Sequence, residues 1–297
     1  MNLLNLRHAL FQLPSLAGEM RRLRATVDQL RRAVGRIEER QLAAATSAEE
    51  AEFKVYSQWG EDGVLQWLLR QVPVPRKIFV EFGVEDYTEA NTRWLLVQHL
   101  WSGLVMDGSA ENIEAIRRDP IYWQCNLKAA QAFITRENIN TLLTANGVTG
   151  EIGLLSVDID GVDYWVWEAI TAVQPAIVVA EYNHRFGPER AVTVPYAADF
   201  QRGQAHYSHV YYGASISALT ALARRKGLAL VAGNRAGNNC FFVRRELLTA
   251  TLREVSPAEV WRAAQFREAR DERGELAFLA PEAEAELLRD LPLVEVE

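Results

Sequence analysis

The chain has 297 residues, 49% hydrophobic and 24% charged, which suits a soluble globular protein with one sizeable α/β domain and an appendage. A formal net charge of −7 with a pI of about 5.4 argues against nucleic acid as a partner, which calls for clustered Lys and Arg, and against a polyanionic substrate held by bulk charge. The two cysteines, Cys125 and Cys240, fit no metal or redox spacing, and there is neither an apolar run of roughly eighteen residues nor a cleavable leader pattern, so a cytoplasmic location is the expectation.

Residues 1–47 read as a segment of their own. Leu16, Met20, Leu23, Val27, Leu30, Val34 and Ile37 alternate at spacings of four and three, the seam of a left-handed coiled coil over about three heptads. Val at a with Leu at d favours two parallel strands, so a homo-oligomer through this helix is expected, with Glu19 and Arg24 placed to pair across the seam. Two alternatives stay open. The helix packs on its own domain, or it lies on a membrane surface or partner, because five arginines (Arg21, Arg22, Arg24, Arg31, Arg32) follow an apolar start with Leu3, Leu4, Leu10 and Phe11. Residues 48–56 read as a linker, and 57–72 as a helix with Glu61 and Asp62 in its first turn, there to offset amide dipoles or to close a pocket.

From 77 the pattern becomes that of an α/β domain, assigned to 57–245. A buried strand (78–82) stops at Gly83, a tight acidic turn follows (83–88), then a helix (89–99) and a second strand ending on Asp107. This is the opening of a βαβ unit, which leaves a ligand crevice at the carboxyl edge of a parallel sheet; a carboxylate about twenty-four residues on from Gly83 is placed to accept hydrogen bonds from a ribose diol. Further on come a helix (110–118), a strand region (127–134), a helix (138–146), a strand (153–159), a helix around 164–173 and an apolar strand (176–180). A long polar connection, 184–213, reads as a lid. A helix (215–226) then leads to two apolar strands (228–232, 240–244) around a Gly/Asn turn, a hairpin; the remainder, 246–297, reads as a mostly helical extension.

Glu81-Phe82-Gly83, with Leu104-Val105-Met106-Asp107-Gly108-Ser109, resembles the first two cofactor motifs of class I S-adenosylmethionine-dependent methyltransferases. Tyr56-Ser57-Gln58-Trp59-Gly60-Glu61-Asp62 and Val157-Asp158-Ile159-Asp160-Gly161 are similar to blocks of the FkbM-like branch, and the resemblance spans roughly 55–245. Tyr87 stands where many relatives carry a further glycine. The resemblance implies a Rossmann-like parallel sheet with a C-terminal antiparallel hairpin, S-adenosylmethionine as cofactor, and O-methylation of a saccharide, glycan or natural product, with surface polysaccharide as an analogy. It also implies Glu81, Gly83, Asp107, Gly108 and Ser109 as cofactor contacts. Glu137 and Asn138 either flank the adenine or cap the next helix. The three spaced glycines of a dinucleotide fingerprint are absent, which makes an NAD-linked oxidoreductase the weaker reading. A coiled-coil assembly protein that binds a nucleotide without turnover is the other alternative.

The strands at 153–159 and 176–180 end in Asp158 and Asp160, and in Glu181 and Asn183; adjacent parallel strands turn these toward one crevice. Oxygen ligands without Cys suit a hard cation such as Mg²⁺. Resemblance to catechol and sugar O-methyltransferases implies Asp158, Glu181 and Asn183 as ligands, although Tyr182 splits the last pair. A sugar hydroxyl is too weak an acid to attack unaided, and a cation bound to it lowers its pKa. Asp160 is the expected base by the same resemblance, with His184, His206 and His209 as alternatives; Asp160 or Asp163 alternatively caps the following helix.

Overall fold

The computed structural model describes residues 3–264 and 266–297, with side chains at residue 16 and from residue 18 onward. The chain forms two compact units, one up to Ala44 and one of Ala45–Glu297.

Among the described residues the first unit is one long helix, Leu3–Gln41, closed by a 3-10 turn, Leu42–Ala44. Its seven seam residues, Leu16 to Ile37 at the spacing above, are each 45 to 61% exposed, so the stripe has no partner among the described residues. The side chains of Leu3, Leu4, Leu10 and Phe11, on which the membrane-surface alternative rests, lie outside the described residues. No helix among the described residues is long and apolar enough to cross a membrane.

The second unit is built on five parallel strands, β1 (Ile78–Phe82), β2 (Ser102–Asp107), β3 (Leu127–Gln131), β4 (Gly150–Val157) and β5 (Val173–Glu181). After the short β6 (Val192–Thr193) come β7 (Leu228–Gly233) and β8 (Asn239–Arg244), antiparallel to each other, with β8 antiparallel to β5; β9 (Val294–Glu295) pairs with β6 in a separate small sheet. The main sheet runs β3-β2-β1-β4-β5-β8-β7, a Rossmann-like parallel sheet with a C-terminal antiparallel hairpin. Side chains alternate between two cores: Phe82, Met106, Leu155, Val178 and Phe242 on one face, Phe79, Val105, Leu154, Ile177 and Phe241 on the other. Both faces are covered by helices, which is why these strands read as near-continuous apolar runs.

Strand order reverses between β1 and β4, and an open α/β sheet offers its crevice at such a switch point. Gly83 leaves β1 there with φ +66°, and a Cβ at that position would lie 1.9 Å from the carbonyl oxygen of Asp158, just past β4.

Several boundaries differ from the sequence pattern. The helix expected from 89 begins at Arg93, because residues 84–92 form a turn held by Glu81. The helix expected to reach 173 ends at Ala169, and β5 starts at Val173 with Pro175 inside it. Residues 48–56 are not a loose linker: Ala48–Ala51 is helical, and Val55 and Tyr56 are buried against Trp94. Small side chains hid that packing from an apolarity count. The 246–297 extension is largely irregular, with helices among the described residues at Pro257–Val260 and Pro281–Leu288, besides the one turn Arg245–Leu247 that enters it.

Candidate active site

The end of β1 organises one half of the crevice. Glu81 accepts hydrogen bonds from the backbone N–H of Asn91 (2.8 Å) and Thr92 (3.1 Å) and from the Thr92 hydroxyl (2.5 Å), so its carboxylate closes the turn over itself. Burial nevertheless pushes its pKa up to about 7. Tyr87, at the position of the missing glycine, has φ +63° and is fully buried, its hydroxyl 2.8 Å from that of Thr92. A residue that fills the core thus holds a left-handed backbone at a cost that glycine avoids. At the end of β2, Asp107 accepts from the N–H of Glu85 (2.9 Å) and Ser109 (2.7 Å), tying the first turn to the second strand.

The Tyr56–Asp62 block is structural scaffolding with one edge on the site. One oxygen of Asp62 accepts from the N–H groups of Val55, Tyr56 and Ser57 at 2.7 to 2.8 Å and from the Ser57 hydroxyl at 2.9 Å. Glu61 accepts from the amides of Asn234 (2.7 Å) and Asn239 (2.9 Å), fastening the block to the hairpin turn. Trp59, at its tip, stacks on Phe266 with ring centroids 5.2 Å apart and an interplanar angle of 11°, and both rings line the crevice.

The crevice has a volume of about 620 Å³, within the usual range for a small-ligand site. Its β1–β3 end is lined by Gly83, Glu85, Asp107, Gly108, Phe133 and Ile134, and its β4–β5 end by Asp158, Asp160, Glu181, Arg202 and Glu268. Of the expected cofactor contacts, Glu81, Gly83, Asp107 and Gly108 border it, whereas Ser109, Glu137 and Asn138 do not. Ser109 caps the helix Ala110–Arg118. Glu137 is bound to the Tyr196 hydroxyl, which lowers its pKa to about 2, and to Arg136. Asn138 braces the preceding turn, accepting from Thr135 N–H and donating to the Phe133 carbonyl, both at 2.9 Å, and makes no side-chain cap. β3 ends three residues before the expected limit, so 132–134 rather than 137–138 reach the crevice.

At the other end Asp158, Asp160 and Glu181 each present a carboxylate oxygen, all within 4.8 Å of one another. The Asp158 and Glu181 pKa values are raised well above the usual range, by burial first and then by the neighbouring carboxylates. One oxygen of Glu181 is buried with no hydrogen-bond partner. Three hard oxygen donors, mutual repulsion and an orphaned carboxylate oxygen fit a divalent cation. Asn183 is not in this group: its amide donates to the carbonyls of Val210 (2.8 Å) and Tyr212 (3.0 Å) and its oxygen accepts from Arg185. Asp160 lines the crevice. Asp163 accepts from the N–H of Ile159 (2.7 Å) and Gly161 (3.0 Å) and so holds the turn, leaving the Asp160 carboxylate, on a backbone with φ +53°, facing the crevice. His184 is buried away from the crevice, its pKa lowered to about 4 by burial and by Arg185. His206 and His209 do not line it either.

Arg202, Glu268, Phe266 and Phe133 are crevice residues that no sequence pattern singled out. Arg202 lies in the connection read as a lid, the one signal present.

The buried carboxylates predict a pH dependence. Burial raises Glu81 from 4.5 to about 7, and Asp62 and Asp163 from 3.8 to about 6. The folded chain therefore holds more protons than the unfolded one between these values, and stability that is full at about pH 4 is lost as the pH rises toward 7. His184, lowered from 6.5 to about 4, acts in the opposite sense but is outnumbered, because Asp158 and Glu181 are raised by burial as well. The unfolding midpoint is expected to fall by at least about 5 °C from pH 4.5 to 7.5 and to recover in part with millimolar Mg²⁺. Calorimetric scans across that range check it; a midpoint that climbs instead would contradict it.

No protein-family profile matches the sequence, and no curated protein matches it. Among solved structures, the N-terminal domain of EvdMO1, crystallised in the presence of SAH and D-fucose, is 13% identical, covering 72% of this chain and 94% of that one at a TM-score of 0.39. An S-adenosylmethionine-dependent methyltransferase from Clostridium acetobutylicum is 8% identical over 63% of this chain and 90% of its own, TM-score 0.39. An O-methyltransferase from Bacillus cereus in complex with SAH is 9% identical over 56% and 72%, TM-score 0.32. At these scores the likeness carries no argument.

Proposed function

We propose that the protein is an S-adenosylmethionine-dependent O-methyltransferase that acts on a hydroxyl of a saccharide or glycan with the help of a divalent cation. The observation that carries this reading is the pairing, in one crevice, of a Gly83/Asp107 nucleoside-type edge with a three-carboxylate cluster. Asp107 is placed to accept from a ribose diol, and the Gly83 turn lets backbone approach closely where a side chain would block. Phe133, 52% exposed, offers an aromatic face at the same end.

S-adenosylmethionine brings the electrophilic methyl group, so the protein's task is to position, desolvate and deprotonate the acceptor. Asp158, Asp160 and Glu181 would hold the cation, which when bound supplies Lewis-acid polarisation of a hydroxyl. Asp160, the most exposed of the three, is the proposed proton acceptor. The Trp59–Phe266 stack provides a flat apolar surface at the mouth, suited to the face of a sugar ring. Incubation with labelled S-adenosylmethionine and a panel of saccharides tests the proposal: label is expected in a base-stable ether on the sugar, and label on protein or on amines alone would contradict it.

The arm is proposed to be a parallel two-stranded coiled coil. Burying seven large apolar side chains that stand exposed on one stripe is the driving force, and Glu19 opposite the partner's Arg24 favours the parallel register. Sedimentation of the full chain is expected to give a dimer, and Leu23→Asp with Leu30→Asp a monomer with S-adenosylmethionine affinity unchanged. A wild-type monomer at about 50 μM, well above the dissociation constant of a stable interface, would dismiss the arm as the joint.

A further inference from the structure

Arg202 reaches four groups at once. Its Nε donates to the His209 carbonyl, one terminal nitrogen donates to Asp160 at 2.5 Å, the other to Glu268, and its guanidinium carbon lies 4.1 Å from the centre of the Tyr212 ring. Glu268 is further held by Arg185 (3.0 Å) and by the Tyr212 hydroxyl (3.1 Å), and Arg185 also binds Glu284 at 2.6 Å. Two guanidinium groups thus staple the returning C-terminal segment over the ends of β4 and β5.

The charges in this half of the crevice are unequal. Asp158, Asp160, Glu181 and Glu268 are four carboxylates, and Arg202 is the cation among them that touches the three-carboxylate cluster. It touches that cluster at Asp160 alone. Asp160 is also the most exposed member, its side chain 56% accessible and its backbone in the left-handed region, so this contact is the most easily surrendered. The other three contacts anchor Arg202 whether or not Asp160 is kept.

We infer that Arg202 is the resident counter-cation of the acid cluster and competes with a divalent cation for Asp160, an inference that rests on the cation reading above. Without the cation the guanidinium partly neutralises the cluster. When the cation binds Asp158, Asp160 and Glu181, Arg202 gives up Asp160 and keeps Glu268, Tyr212 and the His209 carbonyl. The exchange keeps cation affinity weak and links loading of the site to the segment at 266–268, whose Phe266 stacks on Trp59 at the mouth.

Titration of the full chain with Mn²⁺, following the free ion by electron paramagnetic resonance, tests this. Arg202→Gln is expected to bind Mn²⁺ about tenfold more tightly than wild type, Arg202→Lys to fall between them, and Asp158→Asn to bind none, with S-adenosylmethionine affinity measured alongside as the control for folding. Equal or weaker Mn²⁺ affinity in Arg202→Gln, with Asp158→Asn still blind to the ion, overturns the competition and leaves the cation site standing. No Mn²⁺ binding by any form removes both. Should Arg202→Gln not fold, Arg202→Lys decides, since an affinity equal to wild type overturns the inference.

Discussion

Replacing Asp158 with Ala is expected to lower methyl transfer by at least about a thousandfold while leaving the affinity for S-adenosylmethionine within about twofold. The carboxylate lies at the β4–β5 end, among the donors that would hold the cation, and away from Asp107 at the β1–β3 end. The same substitution relieves a repulsion: Glu181 is raised by burial and then by the Asp158 charge. Asp158→Ala is therefore expected to be more stable than wild type above neutral pH, by a few degrees in unfolding midpoint, the pattern of a site whose strain serves its chemistry. Single-turnover rates, cofactor titration and calorimetric scans on one preparation separate the three effects. Activity retained with cation binding lost would show that the ion is dispensable, and a loss of cofactor affinity equal to the loss of rate would place Asp158 at the cofactor.

Gly83→Ala is expected to cost about 2–5 kcal/mol of stability and to weaken S-adenosylmethionine binding by more than about a hundredfold. Two independent causes add. The backbone at +66° is strained for any residue with a Cβ, and that Cβ would sit 1.9 Å from the Asp158 carbonyl oxygen, a backbone atom that moves only if the end of β4 moves. A displaced β4 end also displaces Asp158 itself, so both halves of the crevice suffer from one methyl group. Denaturant unfolding and calorimetric titration measure the two costs. Gly108→Ala is the control for stability alone, because the nearest atom to its added Cβ is 3.9 Å away in the side chain of Phe133, and little change in unfolding is expected there.

The parts of the fold that were legible in the sequence are those decided by local patterns. β1 and β2 are apolar runs that stop at Gly83 and Asp107, and the hairpin is two apolar runs around a Gly/Asn turn, so each is found where expected. Asp158 and Glu181 are legible because they are the first charged residues after largely apolar runs that a parallel sheet must set side by side. Asn183 and His184 follow directly in sequence but not in space. The N–H of Asn183 bonds to the Ala214 carbonyl, so the chain turns under the 210–214 segment and carries both residues away from the crevice. Arg202, Phe266 and Glu268 arrive from segments without helical or strand periodicity, and their place depends on where the chain returns after the sheet is complete. Their pairing across 66 residues leaves no local mark. Tyr87 shows a different limit: a turn that glycine serves by conformation is served here by an aromatic residue, whose buried ring and hydroxyl contact compensate for the unfavourable backbone.

The most direct measurement is calorimetric titration of the purified full chain with S-adenosylmethionine, S-adenosylhomocysteine and NAD, each with Mg²⁺ and after chelation. The proposed function predicts one site per chain, micromolar or tighter affinity for both sulfur compounds, competition between them and no uptake of NAD. Absence of heat with either sulfur compound under every condition, or saturable binding of NAD in their place, would contradict it.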